Sequence, residues 1–414
     1  MGRGQDDVLI LGAGLTGSSI ALELARRGIP STLIERDAIA MNRASLRNEG
    51  KIHLGLIYAN DRSFETAFRQ LEGALCFRSL ITRWLGSEDW LARSTPFHYL
   101  VARTSIVPAE RLETHYAAVE ARCRSALAGD TSLDYLGMRP DRLTRRVDLD
   151  SLAAFFDPSC FSAAFATEEY AVDTDRLARS VREAIAANAA ITLMPSSTVR
   201  TIEERPGGFR VGGDGRNGTW QVNGSQVVNA TWEQRVALDQ AIGLDPPDHL
   251  LHRLKFRVIA RLPATLRAAP SVTMVLGRYG DLVVRADGTA YLSWYPVGLR
   301  GWTHDPVPPQ SWDAACHGEV EADLAHELAA SMVQAMADWC PAIAGAEPLL
   351  VDAGVVVAIG ATDVDDSGSE LHDRKRIGVS GRGGYFSVDP GKLTTAPLFA
   401  VEAADRIERA RKGS

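Results

Sequence analysis

Gly12-Ala13-Gly14-Leu15-Thr16-Gly17 stands between a short apolar run, Val8 to Leu11, and a helical pattern that ends at Arg27-Gly28. That placement restricts the fold more than any other feature of the chain. A tight turn out of a buried strand needs the first glycine. Close approach of a pyrophosphate to main chain needs the second, and contact between helix and strand needs the third. A helix starting there aims N–H donors and partial positive charge at whatever docks on the turn. A second apolar run, Ser31 to Ile34, completes a βαβ unit, and Glu35 at its end can accept from an adenosine ribose hydroxyl. A glycine turn beside an unrelated surface glutamate would explain neither the spacing nor the order. The unit reads as a dinucleotide site, with Gly12, Gly14, Leu15, Thr16 and Gly17 at the pyrophosphate and Glu35 and Arg36 at the adenosine end.

A chain of 414 residues is long enough for two domains, and 45% hydrophobic with 23% charged residues supplies ordinary globular core material, excluding disordered and fibrous classes. The net charge of -7 gives no reason to expect nucleic acid or an anionic membrane as partner. Cys76, Cys123, Cys160, Cys316 and Cys340 are odd in number and never in CxxC spacing, which suits a reducing compartment. The acidic N-terminus and the brevity of the Val8 to Leu11 run argue against a secretory leader or a membrane span, so a cytoplasmic location is expected. The histidines lack ligand clustering, and no metal is expected.

Further along, Phe64, Phe68, Leu71, Leu75, Ile81 and Leu85 recur at helical steps within Arg62 to Leu85, and Cys76 on that helix reads as packing. Residues 94–107 read as a strand and Pro108 to Leu127 as a helix. Asp173 can cap a helix carrying Leu177, Val181 and Ile185, followed by strands Ile191 to Met194 and Thr198 to Ile202, with Val199 beside the nucleotide. Gly207 to Gly224 reads as hairpins leading into a buried strand, Gln226 to Ala230; no helix follows its glycines, so a second nucleotide site is not expected there. Residues 253–260 and 272–296 are strand-rich and aromatic. Val320 to Trp339 reads as an amphipathic helix whose Met332 and Met336 fill core. The last segment runs from a strand, Ile377 to Ser380, through a glycine turn at Gly381 to Gly384, to a helix from about Leu393 to Arg411.

The stretch Ala44 to Tyr58 is a polar, glycine-punctuated loop where an NAD-binding unit would continue into its next helix. Here the chain resembles the D-amino-acid oxidase superfamily of flavoproteins, which includes glycine oxidase, glycerol-3-phosphate dehydrogenase and L-2-hydroxyglutarate dehydrogenase. Arg47-Asn48-Glu49-Gly50-Lys51-Ile52-His53-Leu54-Gly55 resembles the Arg-Asn-x-Gly-x-Ile-His-x-Gly pattern of the L-2-hydroxyglutarate enzymes, and Lys51-Ile52-His53 is also similar to the glycerol-3-phosphate enzymes. Val227-Val228-Asn229-Ala230 resembles the superfamily's middle strand. Gly383-Gly384 with Pro390-Gly391-Lys392-Leu393-Thr394-Thr395 resembles the C-terminal motif of glycerol-3-phosphate dehydrogenase. Thr231-Trp232 departs from the usual Ala-Gly, and the C-terminal motif does not follow the L-2-hydroxyglutarate pattern. The resemblance implies FAD as cofactor, with Ser45, Asn48, Glu49 and Gly50 in a loop around the flavin and Gly384, Gly391, Lys392, Leu393 and Thr394 at its other side. It does not carry a substrate with it.

Reduction of a flavin leaves negative charge on its N1/C2=O edge, which amides at a helix start and a lysine can stabilise. Gly391 to Thr394 are placed to do this, unless Lys392 is simply solvated. His53 is the base candidate, because hydride removal from CH–OH or CH–NH requires loss of the heteroatom proton to a group titrating near neutrality. Arg47 and Lys51 could bind a substrate anion, or merely contact FAD phosphate or solvent. For Tyr279, Arg285, Tyr291 and Trp294, packing is favoured over substrate contact. The expected fold is α/β: a discontinuous Rossmann-like FAD-binding domain over 1–88, 166–245 and 348–414, and a mostly antiparallel β substrate domain over 89–165 and 246–347. The expected function is an oxidoreductase taking hydride from the CH–OH carbon of a small polar or anionic substrate. The electron acceptor is expected to be dioxygen, a quinone or another carrier. The alternatives are an amine or amino-acid oxidase of the same fold, or a flavoprotein with a non-redox role. Covalent attachment of the flavin stays open.

Overall fold

The computed structural model describes residues 8–361, 366, 368 and 374–412. It opens with the expected unit of β1 (Val8–Leu11), α1 (Leu15–Arg26) and β2 (Ser31–Ile34). After the long loop come α2 (Glu65–Leu85), β3 (Phe97–Ala102), α3 (Ala109–Gly129), β4 (Thr144–Val147) and β5 (Phe161–Thr167). The chain returns through α4 (Thr174–Ala187) and β6 (Ile191–Met194) to a meander of β7 (Ser197–Arg205), β8 (Gly208–Gly215) and β9 (Gly218–Gly224). Next are β10 (Gln226–Asn229), α5 (Arg235–Ala241), β11 (Leu250–Arg261), β12 (Ser271–Val275), β13 (Gly280–Val284) and β14 (Thr289–Trp294). Then follow α6 (Tyr295–Gly298), β15 (Leu299–Thr303), α7 (Asp313–His317), α8 (Ala322–Ala337) and β16 (Glu347–Ile359). The last elements are β17 (Gly378–Arg382), β18 (Tyr385–Asp389) and α9 (Ala396–Lys412).

Local chemistry sets the helix ends. Asp173 accepts from the N–H groups of Asp175 and Arg176, capping α4 as its sequence position foretold. α2 begins at Glu65, later than the apolar pattern, because Asp61 takes the N–H groups of Ser63 and Thr66 at 2.9 and 3.1 Å. In α8 the buried face is Leu328, Met332 and Met336; the two methionines fill core, and Leu324, one turn earlier, is exposed.

A six-stranded sheet has the order β17-β18-β10-β1-β2-β6. β1 runs parallel to β10 and β2, β10 to β18, and β2 to β6, with β17 added antiparallel at the edge. α1 packs between α4 and α9, and α2 packs on α9. A nine-stranded sheet is antiparallel except where β12 lies parallel to β3. The meander β7-β8-β9 forms a separate three-stranded sheet against the other face of the parallel one.

One strand falls outside the division expected from sequence. Residues from 348 were assigned to the nucleotide-binding unit, yet β16 pairs antiparallel with β11 from Leu250↔Ile359 to Arg261↔Glu347. A valine-rich run is what a strand buried on both faces of a parallel sheet would also carry. Instead Val351, Ala353, Val355 and Val357 alternate into the core of the large sheet, and Asp352 faces the other way. No helix among the described residues is long and apolar enough to cross a membrane.

Candidate active site

The carboxyl ends of β1 and β10 open into a cleft that is closed on its far side by β11, β13 and β16. Gly12, at φ 91°, makes the tight turn; a Cβ there would lie 2.7 Å from the Ala230 carbonyl oxygen. Gly17 packs helix on strand, and any Cβ there would overlap the Gly12 carbonyl oxygen. Gly17→Ala is therefore expected to displace the turn at a cost of about 1–3 kcal/mol. Purified variant should show a lower melting temperature and a lower flavin-to-protein absorbance ratio; an unchanged ratio would contradict this account of the turn.

Gly14, Leu15 and Thr16 line the cleft, and the Ser45 hydroxyl takes the first amide of α1, Leu15 N–H, at 2.8 Å. Glu35 sits buried under the turn, accepting Ala13 N–H at 2.7 Å and Asp37 N–H at 2.9 Å. Burial raises its pKa against the opposing pull of those two amides. Arg36, Ser197 and Val199 line the same end. Arg36 pairs with Glu233. Arg43 pairs with Asp37 at 3.0 Å, with Glu233 at 3.3 Å and with Asp313 at 2.8 Å. Sequence reading passed over Arg43, Glu233 and Asp313, whose only common feature is spatial.

At the other end, Asn48 locks the loop. Its amide donates to the Ala44 and Ser45 carbonyls at 2.8 and 3.0 Å, and its Oδ1 accepts Gly50 N–H at 2.7 Å. Gly50 has φ 74° and presses on the Val172 carbonyl, where no Cβ would fit. From β11, Arg257 donates to the Leu46 and Asn48 carbonyls at 3.0 and 3.3 Å and holds Asp352 through two bonds of 2.6 and 3.1 Å. Arg47 lines the cleft and also turns to Asp352, 3.1 Å away. Lys51 is buried against Thr273, with Asp281 at 3.3 Å and its ammonium over the Phe97 ring at 4.0 Å.

His53 is 4% exposed and lines the cleft. Its N–H donates to Thr394 Oγ1 at 2.9 Å, its Nε2 lies 3.6 Å from Glu49 Oε1, and its Nδ1 is buried without a hydrogen-bond partner. Burial holds the imidazole below its ordinary pKa, Glu49 opposing and Lys392 reinforcing. For Glu49, burial pushes the carboxyl up, but His53, Lys392 and Lys255 together hold it well below the usual range. Gly391, Lys392 and Leu393 complete this wall, whereas Gly384 lies at the β17–β18 turn against Phe209, away from the cleft. Thr394 is fully buried, and its hydroxyl reaches Lys51 O at 3.4 Å.

Lys255, which sequence reading missed, projects from β11 with its ammonium 4.3 Å above the Tyr295 ring. Neither Lys255 nor Lys392 makes an ion pair among the described residues. Burial would raise the Tyr295 phenol, but Lys255 and Arg253 outweigh it and the pKa falls. Tyr279 and Tyr291 line the cleft. Arg285 instead faces Asp175 at 4.0 Å, and Trp294 stacks on Trp339. Among the described residues no group of three or more histidine, cysteine or acidic side chains could hold a metal ion.

A glycine turn at strand ends, a carboxylate fixed beneath it and a polar loop bearing a buried imidazole fit a dinucleotide whose far end is a reactive ring. These features define a nucleotide-dependent oxidoreductase whose cleft lies between a parallel and a mostly antiparallel sheet. The chain belongs to the family described as DAO, FAD dependent oxidoreductase, whose model matches residues 7–406. It is 25% identical over 434 aligned residues to the mitochondrial glycerol-3-phosphate dehydrogenase of Saccharomyces cerevisiae, covering 97% of this chain and 63% of that protein. The chain thus spans less than two thirds of that relative's length. In fold it is similar to glycine oxidase from Geobacillus kaustophilus, with TM-score 0.68 and 18% identity over 97% of this chain and 94% of that one. It is likewise similar to dithionite-reduced L-alpha-glycerophosphate oxidase from Mycoplasma pneumoniae with FAD bound, with TM-score 0.66 and 17% identity over the same shares of each chain. The protein is an FAD-dependent oxidoreductase of this family.

Proposed function

We propose that the protein oxidises the CH–OH carbon of a small anionic substrate. One observation carries this reading: a buried imidazole with an open nitrogen lies in the cleft beside two lysine ammonium groups that make no ion pair among the described residues. FAD, when bound, supplies the hydride acceptor. Gly12 to Gly17 would hold its pyrophosphate, Glu35 and Arg36 its adenosine, with Val199 alongside, and Ser45 to Gly50 with Gly391 to Thr394 its flavin end.

His53 is the group that removes the hydroxyl proton. Its lowered pKa leaves it neutral at pH 7 and able to accept. Glu49, ionised 3.6 Å away, stabilises the imidazolium that results. Lys392 stands at the start of the C-terminal helix, where positive charge offsets charge arriving on the cofactor. Lys255, on the opposite wall, anchors the substrate's acid group. Arg47 and Lys51, already engaged by Asp352 and Asp281, position the loop. Cationic amines are disfavoured, since they would face Lys255 and Lys392.

Anaerobic titration with 2-hydroxy acids, alcohol phosphates, amino acids and amines, followed at the flavin absorbance, tests the reading. Bleaching by an anionic alcohol supports it, and bleaching by amines or amino acids alone overturns it in favour of amine oxidation. Readmitting air or adding a quinone then identifies the electron acceptor. With the responding substrate, Lys255→Met is expected to raise KM about tenfold or more, as loss of a charge-assisted contact implies, while kcat changes little. A variant with unaltered KM would remove Lys255 from substrate binding.

A further inference from the structure

The turn after β10 places a tryptophan where a glycine would be free of strain: Trp232 has φ 56°. Its main chain is fixed from one side. Asn229 Oδ1 accepts from Thr231 N–H at 3.2 Å and from its hydroxyl at 2.6 Å, and Asn229 Nδ2 donates to Asp239 and Tyr385 at 2.8 and 2.9 Å. Ala230 and Thr231 in turn abut Gly12, whose Cβ position lies 2.7 Å from one and 3.0 Å from the other. The side chain is fixed from the opposite side. The indole N–H donates to the Val355 carbonyl of β16 at 2.9 Å, and the ring packs on the core of the large sheet. Trp232 lines the cleft, as do Gly354 and Val355. Backbone strain persists where the surroundings over-determine it, and it gathers at ligand clamps.

We propose that Trp232 is a positioning residue that retains the cofactor: its indole, tied to Val355, closes the side of the cleft between the Gly12 turn and β16. Release of the dinucleotide then requires the indole to leave β16. This rests on FAD lying along the Gly12 turn. Glycine at this position relieves the backbone while opening the wall, so cofactor retention and fold stability respond differently. A tryptophan that merely packed would affect both together.

The test is FAD release from holoprotein, followed as recovery of free-flavin fluorescence after dilution, beside thermal unfolding of the apoprotein. Trp232→Gly is expected to release FAD roughly tenfold faster, with the apoprotein melting no lower than wild type. Trp232→Phe keeps a ring but loses the bond to Val355, and is expected to fall between the two. Equal release from Trp232→Gly and wild type overturns the proposal, as does faster release that tracks a matching loss of apoprotein stability. Where the glycine variant does not fold, the phenylalanine variant decides, equal release again overturning it. Wild-type protein that retains no FAD would instead overturn the placement of the cofactor along the turn.

Discussion

Replacing His53 with alanine is expected to leave the protein yellow and to slow substrate-driven flavin bleaching by about 10²–10⁴-fold, the usual contribution of a general base. Colour should persist because the backbone of this position, held by Thr394, is untouched by the change. The rate falls because the imidazole offers the cleft a basic nitrogen without a hydrogen-bond partner, while Lys51 is engaged by Asp281 and Glu49 is held ionised by the cations around it. The pH profile carries a sign. The base works unprotonated, so the rate rises with pH through its pKa and then levels. Burial lowers that pKa from 6.5, which puts the acid limb below the ordinary histidine value. His53→Ala should abolish that limb. Stopped-flow bleaching across pH measures both effects, and a variant with wild-type rates and profile would take His53 out of the chemistry.

Asp352→Ala is expected to lower stability by about 3–5 kcal/mol, because it leaves two buried guanidinium groups uncompensated. Arg257 is joined to Asp352 by two bonds and Arg47 by one ion pair, and the side chains of all three are under 10% exposed. The effect should reach the cofactor as well. Arg257 also holds the Leu46 and Asn48 carbonyls, so loss of its partner loosens the loop that bears Glu49 and His53. Urea unfolding and flavin content should fall together. A variant with the wild-type midpoint would show that this triad is not the loop's anchor.

Legibility in the sequence tracked how local each constraint is. The Gly12 turn, the Asp173 cap and the β1, β2 and β10 strands were readable because spacing over a few residues determines them. His53 and Lys392 were found through the loops that carry them. Arg257 and Asp352 were not, since each sits on an ordinary-looking strand and meets the other only where β11 pairs with β16; Lys255, also on β11, faces the cleft only once that sheet has formed. The ion pair of Arg47 was not legible either, because a sequence does not show an acid arriving from 305 positions further on. The same distance hid β16 itself. Its apolar run fits either sheet, and only the partner for Asp352 distinguishes them.

The strand order of the parallel sheet also governs when the protein can become competent during synthesis. β10 lies between β1 and β18, and α9 covers α1 and α2. A nascent chain stalled before Tyr385 would present β10 with one edge unsatisfied and the flanks of both helices bare to water. Pairing of β10 with β1 before it and with β18 after it joins strands far apart in sequence, the kind of contact that forms late and slowly. The parallel sheet beneath the Gly12 turn is therefore complete only once β18 and α9 have been made.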